Sequence, residues 1–340
     1  MKKYPVYFLL CLIVVVILAG CQRYDAPPEI TPTSISTVTE TAVPQEIPTI
    51  TFTPSLQPTE NPQPTQLIEG RNTDALDCGE NFCQILWEGY LERPFDEDYR
   101  QQIDLTYPYA STKDGTLDPH HGVEFPNPFG TPVLAAASGE VVYAGSDEKT
   151  LLGPYKNFYG NVVIIKHLEL FLDKDVFTLY AHLSSVQVEV GDLLTVGEKL
   201  GEVGASGAAG GAHLHFEVRL VSNAYSRTVN PVLWFSPIQS QGSQPTATLA
   251  GVILDRNGQP RSELDFVLER IDAQNSVVER TYLKTYHENG ANRHPAFGEN
   301  FTVPDIPAGE YRLSLISGSL YEEYFTLEPG MMGFITLREK

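Results

Sequence analysis

The sequence predicts a mainly β protein of two small modules, and three observations predict it. Short runs rich in Val, Ile, Leu, Phe and Tyr recur through the later two-thirds of the chain, punctuated by Gly, Pro, Asn and Asp, which is the pattern of strands and turns. Once an apolar leader and a Pro/Thr-rich stretch are set aside, roughly 270 residues remain, enough for two modest cores. A Gln/Ser/Gly-rich stretch from Pro237 to Pro245 divides those residues and reads as a boundary.

The N-terminus reads as an export and anchoring signal over residues 1–20. Met1-Lys2-Lys3 precedes an apolar run of fourteen residues, Val6 to Ala19, too short for the about 20 that span a bilayer. The run ends in Leu18-Ala19-Gly20-Cys21, which resembles the lipobox of bacterial lipoproteins. That resemblance implies cleavage before Cys21, lipidation of its sulfur, and attachment to the envelope membrane through acyl chains. Residues 21–67 follow as a tether. Gln22 to Gln66 holds nine Pro and ten Thr with almost no periodicity, so it has too little apolar surface to offset its ordering entropy. Fully extended it reaches on the order of 140 Å, which suits a domain working on a polymer away from its anchor.

Charge and cysteine content narrow the function class. Lys plus Arg number 23 against 43 Asp plus Glu, a formal net charge of −20. An acidic chain with no basic run argues against nucleic acid and against adhesion to anionic headgroups. Of the four cysteines, Cys11 leaves with the signal and Cys21 takes the lipid. Cys78 and Cys83 remain, four residues between them, and in an exported chain they are candidates for a local disulfide.

Residues 68–118 read as a flanking segment. Ile85-Leu86-Trp87 and Tyr90-Leu91 suggest a short strand or helix beside the next module. Tyr107-Pro108-Tyr109 is read either as the lining of a groove or as packing.

The next module, residues 119–237, carries the chemistry. Its β runs are Val133–Ala136, Glu140–Ala144, Asn161–His167, Phe177–His182, Val186–Val190 and His213–Leu220. Leu151 to Phe158 reads as an inserted loop, and the charges of Asp147-Glu148-Lys149 before it are expected in solvent. Gly204 to Gly211 is a small-residue loop without the Lys-Ser or the following helix of a phosphate cradle. It leads into Ala212-His213-Leu214-His215-Phe216-Glu217-Val218-Arg219-Leu220, whose period-2 alternation puts His213 and His215 on one strand face. Two upstream places supply partners. Asp118-Pro119-His120-His121-Gly122-Val123-Glu124 offers a His and a carboxylate four apart, and Phe177-Thr178-Leu179-Tyr180-Ala181-His182-Leu183 ends a β-prone run in a histidine.

In this order, His120-x-Gly122-x-Glu124, Gly130-Thr131-Pro132-Val133-Leu134, Tyr180-Ala181-His182-Leu183, Gly191-Asp192 and His213-x-His215-Phe216-Glu217 closely resemble the lysostaphin-like, LytM-type zinc endopeptidases. The resemblance runs from about Pro119 to Phe235, through Asn230-Pro231. It implies an antiparallel β-sheet metallopeptidase module acting on peptidoglycan peptides. Carried over by position, it implies one zinc ion held by His120, His215 and the carboxylate, with His182 and His213 as catalytic histidines. The family has Asp where this chain has Glu124, one methylene longer. Three protein ligands leave a fourth position open, the mark of a catalytic zinc site. His182 and His213 then serve as general base and as donor to the tetrahedral oxyanion. The rival reading is a non-catalytic adapter that activates a partner cell-wall amidase, as LytM-type domains lacking the zinc residues do; here all four histidines are present. His121, one residue out of register, and His167, after the apolar run Val162–Ile165, are read as non-ligands, as are His287 and His294 in the last module.

Residues 246–340 form that last module. Ala247–Asp255, Leu264–Arg270, Val277–Leu283, Phe301–Val303, Tyr311–Ile316, Glu323–Leu327 and Phe334–Leu337 read as strands, with turns such as Asn257-Gly258 and Pro329-Gly330. Gly251-Val252-Ile253-Leu254-Asp255 with Ile306 to Leu313 resembles the carboxypeptidase-regulatory-like β-sandwiches. The expected job is a spacer or a binding module, the latter toward a protein partner in the envelope.

Overall fold

A computed structural model describes residues 75–241, 244–287, 292–317 and 319–339. The signal, Cys21 and the tether lie outside the described residues. Among these the regular structure is nearly all strand, with two short 3-10 turns, Tyr225–Arg227 and Pro231–Trp234. No helix among them is long and apolar enough to cross a membrane.

The strands are β1 (Ala75–Cys78), β2 (Phe82–Leu86), β3 (Val123–Phe125), β4 (Pro132–Leu134), β5 (Gly139–Ser146), β6 (Asn161–Phe171) and β7 (Lys174–Val186). Then come β8 (Leu193–Leu194), β9 (Lys199–Val203), β10 (Leu214–Leu220), β11 (Thr228–Val229), β12 (Ser240–Gln241) and β13 (Gln244–Leu254). The last are β14 (Asp265–Ile271), β15 (Val277–Lys284), β16 (Phe301–Pro307), β17 (Gly309–Ser317), β18 (Ser319–Leu327) and β19 (Met331–Arg338).

One nine-stranded sheet builds the middle module. Its main order is β11-β10-β7-β6-β5-β8, with β3 on β10 and β9 on both β7 and β4, and its pairings are antiparallel. Alternation sorts the side chains of β10. Leu214, Phe216, Val218 and Leu220 face the main apolar core with Tyr180, Leu183 and Trp234. His215, Glu217 and Arg219 face the other way, opposite Ala181, Leu179 and Phe177 of β7, where a second cluster lies around Tyr159, Val162 and Ile164. Every residue of β10 is buried, so polar groups on its second face must find partners inside the protein.

Two further sheets form the C-terminal module. The six-stranded sheet runs β1-β2-β19-β13-β12 with β16 on β13, and the four-stranded sheet runs β15-β14-β17-β18. They share a core that includes Leu249, Ile253, Phe266, Leu268, Phe301, Leu313, Phe325 and Ile335. The other face of the six-stranded sheet is also covered. Ala250, Val252, Leu254, Phe297, Met332 and Phe334 belong to the same continuous core as Phe216, Val218 and Trp234. A strand buried on both faces carries an unbroken apolar run, and Leu249 to Leu254, which holds no polar side chain, is one.

Several expectations differ from what is found. The C-terminal residues share a core with the middle module and an ion pair with the flanking segment, Arg93 Nη2 to Asp305 Oδ1 at 2.8 Å. Ile85 and Leu86 form a strand, but it pairs with β19 of the C-terminal sheet; Trp87 then packs edge to face on Phe297. Cys83 is disulfide-bonded, and Cys78 stands opposite it in the β1–β2 register. Only the first residue of Val186–Val190 is in a strand. Asp147 is not solvated: it is fully buried, and its carboxylate accepts from Tyr159 N and Gly160 N, each at 2.9 Å. Those two amides close the inserted loop onto its own base and offset the desolvation of the charge.

Candidate metal centre and catalytic histidines

His120, Glu124 and His215 meet through the pairing of two strands and the turn before the first of them. His120 lies just before β3, and Glu124 on β3 sits directly opposite His215 on β10. Gly122 makes the approach feasible. A Cβ there would stand 2.6 Å from His215 Cε1 and 2.6 Å from Phe216 O, closer than side chains allow. Glu124 Oε1 is 2.9 Å from His120 Nε2 and 3.0 Å from His215 Nδ1. The two nitrogens are 3.3 Å apart.

The donor set fits zinc. Ligands bound at about 2.0–2.1 Å in tetrahedral array lie roughly 3.3–3.4 Å apart, so this triangle is a few tenths of an ångström tight on its carboxylate edges. The outer ring nitrogens are already engaged. His120 Nδ1 faces Tyr107 O at 2.8 Å, and a carbonyl only accepts, so Nδ1 carries the proton and Nε2 is the ligand atom. His215 Nε2 faces Glu217 Oε1 at 3.1 Å, which leaves Nδ1 for the metal. Such outer acceptors fix the ring and the tautomer of metal-binding histidines.

Glu217 is itself anchored. Its Oε2 accepts from Arg219 Nε at 2.7 Å, and Tyr159 OH donates to its Oε1. Arg219 also donates to Tyr159 OH at 2.9 Å and to Asn223 Oδ1 at 3.0 Å. Both Glu217 and Arg219 are fully buried. Burial favours the neutral carboxyl of Glu217, but Arg219 and His215 outweigh it and hold its pKa near about 2. Burial likewise opposes protonation of His215, and the Glu124 and Glu217 carboxylates overcome it, raising its pKa to about 10. Glu124 is held well below the usual carboxylate range by His215, His120 and His213, against its own desolvation. Sequence reading did not single out Glu217, Arg219 or Tyr159. The i, i+2 spacing of His215, Glu217 and Arg219 on one strand face was the available signal.

His182 arrives by a slip in β7. Tyr180 and Leu183 both face the main core, three residues apart rather than two. Across the ladder Val163 opposes Tyr180 while Asn161 opposes Leu183, so β7 carries one extra residue, a bulge. His182 adopts φ 62° there, a left-handed backbone that a non-glycine residue holds at a cost on the order of 1–3 kcal/mol. The bulge sends its ring to the metal side, 4.9 Å from His213 and 5.7 Å from His215 between centroids. His182 Nδ1 faces Ser206 O at 2.8 Å, so Nε2 keeps its lone pair. Burial, with His215 adding to it, lowers the pKa of His182 to about 4. His213 Nδ1 faces Gly211 O at 2.9 Å and Nε2 stands 3.1 Å from Glu124 Oε2. Burial works against its protonation, but Glu124 raises its pKa above the ordinary value.

The other histidines are used elsewhere. His121 turns away, stacks on Tyr225 at 3.9 Å and faces Thr228 Oγ1 at 2.7 Å. His167 is buried between Ser138 O and Thr178 Oγ1, at 2.9 and 2.8 Å. His294 is buried against Trp234 and Phe171. Of the two flanking tyrosines, Tyr107 stacks on His120 at 4.1 Å, whereas Tyr109 is buried.

Comparison with known proteins places this arrangement. Peptidase family M23 matches residues 118–231. The chain is 37% identical over 121 residues to the cell division protein DipM of Caulobacter vibrioides, covering 35% of this chain and 18% of that protein. It is 33% identical over 162 residues to the peptidoglycan DD-endopeptidase ShyB of Vibrio cholerae, covering 47% and 34%. Among solved structures it is similar to the catalytic domain of lysostaphin from Staphylococcus simulans, with 30% identity, TM-score 0.32, and coverage of 39% of this chain and 90% of that one. The chain spans less than half the length of the curated relatives it matches. The motif order and the strand register that joins Glu124 to His215 fall within the stretch that matches: residues 118–231 of this chain match peptidase family M23.

Proposed function

We propose that the M23 module is a zinc-dependent endopeptidase that hydrolyses peptide bonds of peptidoglycan, in stem peptides or cross-bridges. The observation that carries this reading is the convergence of His120, Glu124 and His215 with two further histidines whose Nδ1 atoms face backbone carbonyls. His120 Nε2, Glu124 Oε1 and His215 Nδ1 would hold the metal. Zinc, when bound, supplies a Lewis acid that polarises a carbonyl and lowers the pKa of water. His182, uncharged at neutral pH, accepts a proton at Nε2 from the attacking water. His213 offers an N–H to the oxyanion that develops on the scissile carbonyl. Peptidoglycan as substrate is supported by relatives named as peptidoglycan endopeptidases.

Acylation at Cys21 places the enzyme on the envelope membrane, with residues 21–67 as its tether. Mass spectrometry of the mature N-terminus tests the anchor; an unmodified Cys21 or a different start rejects it. Zinc stoichiometry after dialysis, with peptide release from purified sacculi, tests the enzyme. A wild type that holds no zinc and releases nothing would move the reading to the adapter class.

A further inference from the structure

His120 lies at the end of a stretch outside the sheets, and that stretch holds its backbone. Ala110 N donates to His120 O at 2.8 Å, and His120 N donates to Ser111 O at 3.0 Å. Tyr107 O takes the His120 ring nitrogen. Ala110 makes its bond from φ 65°, a conformation that persists in a non-glycine residue where the surroundings enforce it.

The surroundings come from the C-terminal module. Tyr109 and Ala110 are buried in one small cluster with Tyr286, and the two tyrosine rings meet edge to face at 5.6 Å. The Tyr109 hydroxyl accepts from Asn292 N at 3.1 Å and stands 2.9 Å from Asn292 O. Thr112 Oγ1 donates to Glu263 Oε1 at 3.1 Å. Asn292 Nδ2 reaches the opposite flank, donating to Ser226 O at 2.9 Å and Thr228 O at 2.8 Å. Thr228 in turn engages His121, the neighbour of His120. Asn292 of the second module thus ties together both segments that border the first ligand.

We propose that the C-terminal module is a working part of the metal centre: Tyr286 and Asn292 hold Tyr109 and Ala110, and through them His120, in ligand geometry. Tyr286, Asn292 and Tyr109 are positioning residues, and the proposal rests on the reading of His120 as a ligand. A module that served only as a spacer would contribute stability without touching metal affinity. Here the strained Ala110 backbone makes the ligand's position depend on a contact made across the module boundary. Loss of an outer partner of a metal-binding histidine typically weakens metal affinity about 10–100-fold.

The test uses the full chain with Tyr286→Leu, which stays apolar and removes the ring contact together with the hydroxyl's bonds to Asn230 and Glu299, beside Leu313→Ala in the far core of the same module. Two quantities are read: hydrogen exchange of peptides covering residues 107–121 in zinc-free protein, and zinc affinity by chelator competition. Tyr286→Leu is expected to speed exchange of that segment and to weaken zinc binding about tenfold or more. Leu313→Ala is expected to lower stability while leaving both near wild type. Tyr286→Leu indistinguishable from wild type, or matched in both quantities by Leu313→Ala, overturns the proposal. Should Tyr286→Leu not fold, Tyr109→Phe keeps the ring and loses the bonds to Asn292; a smaller change in the same direction supports the brace, and no change rejects it. If the wild type takes up no zinc, the metal reading fails, and the exchange of residues 107–121 still decides whether the brace exists.

Discussion

Glu217 Oε1 stands 3.1 Å from His215 Nε2, on the far side of the ring from Glu124 Oε1, which is 3.0 Å from Nδ1. One imidazole is therefore gripped by a carboxylate at each nitrogen. The inner carboxylate belongs to the proposed metal site; the outer one sets the tautomer. Arg219 and Tyr159 keep the outer one charged and immobile. Glu217→Gln retains the shape and removes the charge. Zinc affinity is expected to fall about 10–100-fold, read by chelator competition, while His215→Ala abolishes retention. Wild-type affinity in Glu217→Gln would assign the outer carboxylate to folding alone.

His182 and His213 face the reacting side with their Nδ1 atoms against backbone carbonyls. His182→Ala and His213→Ala should each lower turnover by about 10²-fold or more with zinc near one per chain. The check is metal content measured on the same preparations used for sacculus hydrolysis. Zinc loss equal to that of His215→Ala would place them among the ligands instead.

Metal uptake should release a proton. In the metal-free protein His215 has its pKa raised to about 10, so Nδ1 is protonated throughout the neutral range. A metal ligand must be deprotonated, so the bound metal displaces that proton. The sign follows: zinc affinity rises as pH rises toward that value and falls as pH falls. Calorimetry at pH 7.5 in buffers of different ionisation enthalpy should report about one proton released per zinc from this ring. A release near zero would contradict the protonated ring.

Glu299 gives a stability prediction remote from the metal. It is fully buried, accepts from His294 N at 2.9 Å, and burial raises its pKa from 4.5 to about 8. Below about pH 4.5 its carboxyl is neutral in both folded and unfolded chains. Between there and about pH 8 the unfolded chain loses a proton that the folded chain keeps, so stability falls as pH rises. Glu299→Gln should remove that slope, gaining on the wild type by a few kcal/mol between pH 5 and pH 8.5 in denaturant unfolding. Parallel profiles for the two proteins would reject the neutral buried carboxyl.

How far the sequence announced this molecule depends on the range of each interaction. The strand face of His213 and His215 was legible because period-2 alternation is local, and so were all seven strands read in residues 246–340. The convergence of His120, Glu124 and His182 on that face was legible only through motif order, since Glu124 meets His215 across 91 residues of sequence. The bulge at His182 was not legible: one extra residue in β7 leaves no mark on composition. Asp147 was misread because its partners, Tyr159 N and Gly160 N, are backbone donors that any residue type supplies. The docking of the modules was hidden too. Leu249–Leu254 has no polar side chain, and a continuous run does not say what covers its second face.

The last prediction concerns the one departure from the family motif. Glu124 carries a methylene more than Asp, which moves the carboxylate up to about 1.5 Å further from the backbone. In this structure that reach is used: from a position directly opposite His215, Oε1 comes to 2.9 Å from His120 Nε2 and 3.0 Å from His215 Nδ1. Zinc–carboxylate bonds span only about 2.0–2.2 Å, so a shorter side chain has no slack to draw on. The backbone has little room to follow, because Gly122 already lies against the His215 ring and Phe216 O. Two substitutions separate charge from reach. Glu124→Gln keeps the length and loses the charge, so zinc affinity and turnover should both fall. Glu124→Asp restores the family's own residue and withdraws the oxygen, so it too should hold zinc less tightly than the wild type. The measurement is zinc stoichiometry after dialysis against graded chelator, with sacculus hydrolysis on the same samples. An Asp variant that binds zinc as well as the wild type would mean that the backbone before β3 yields, and that the length of Glu124 is incidental.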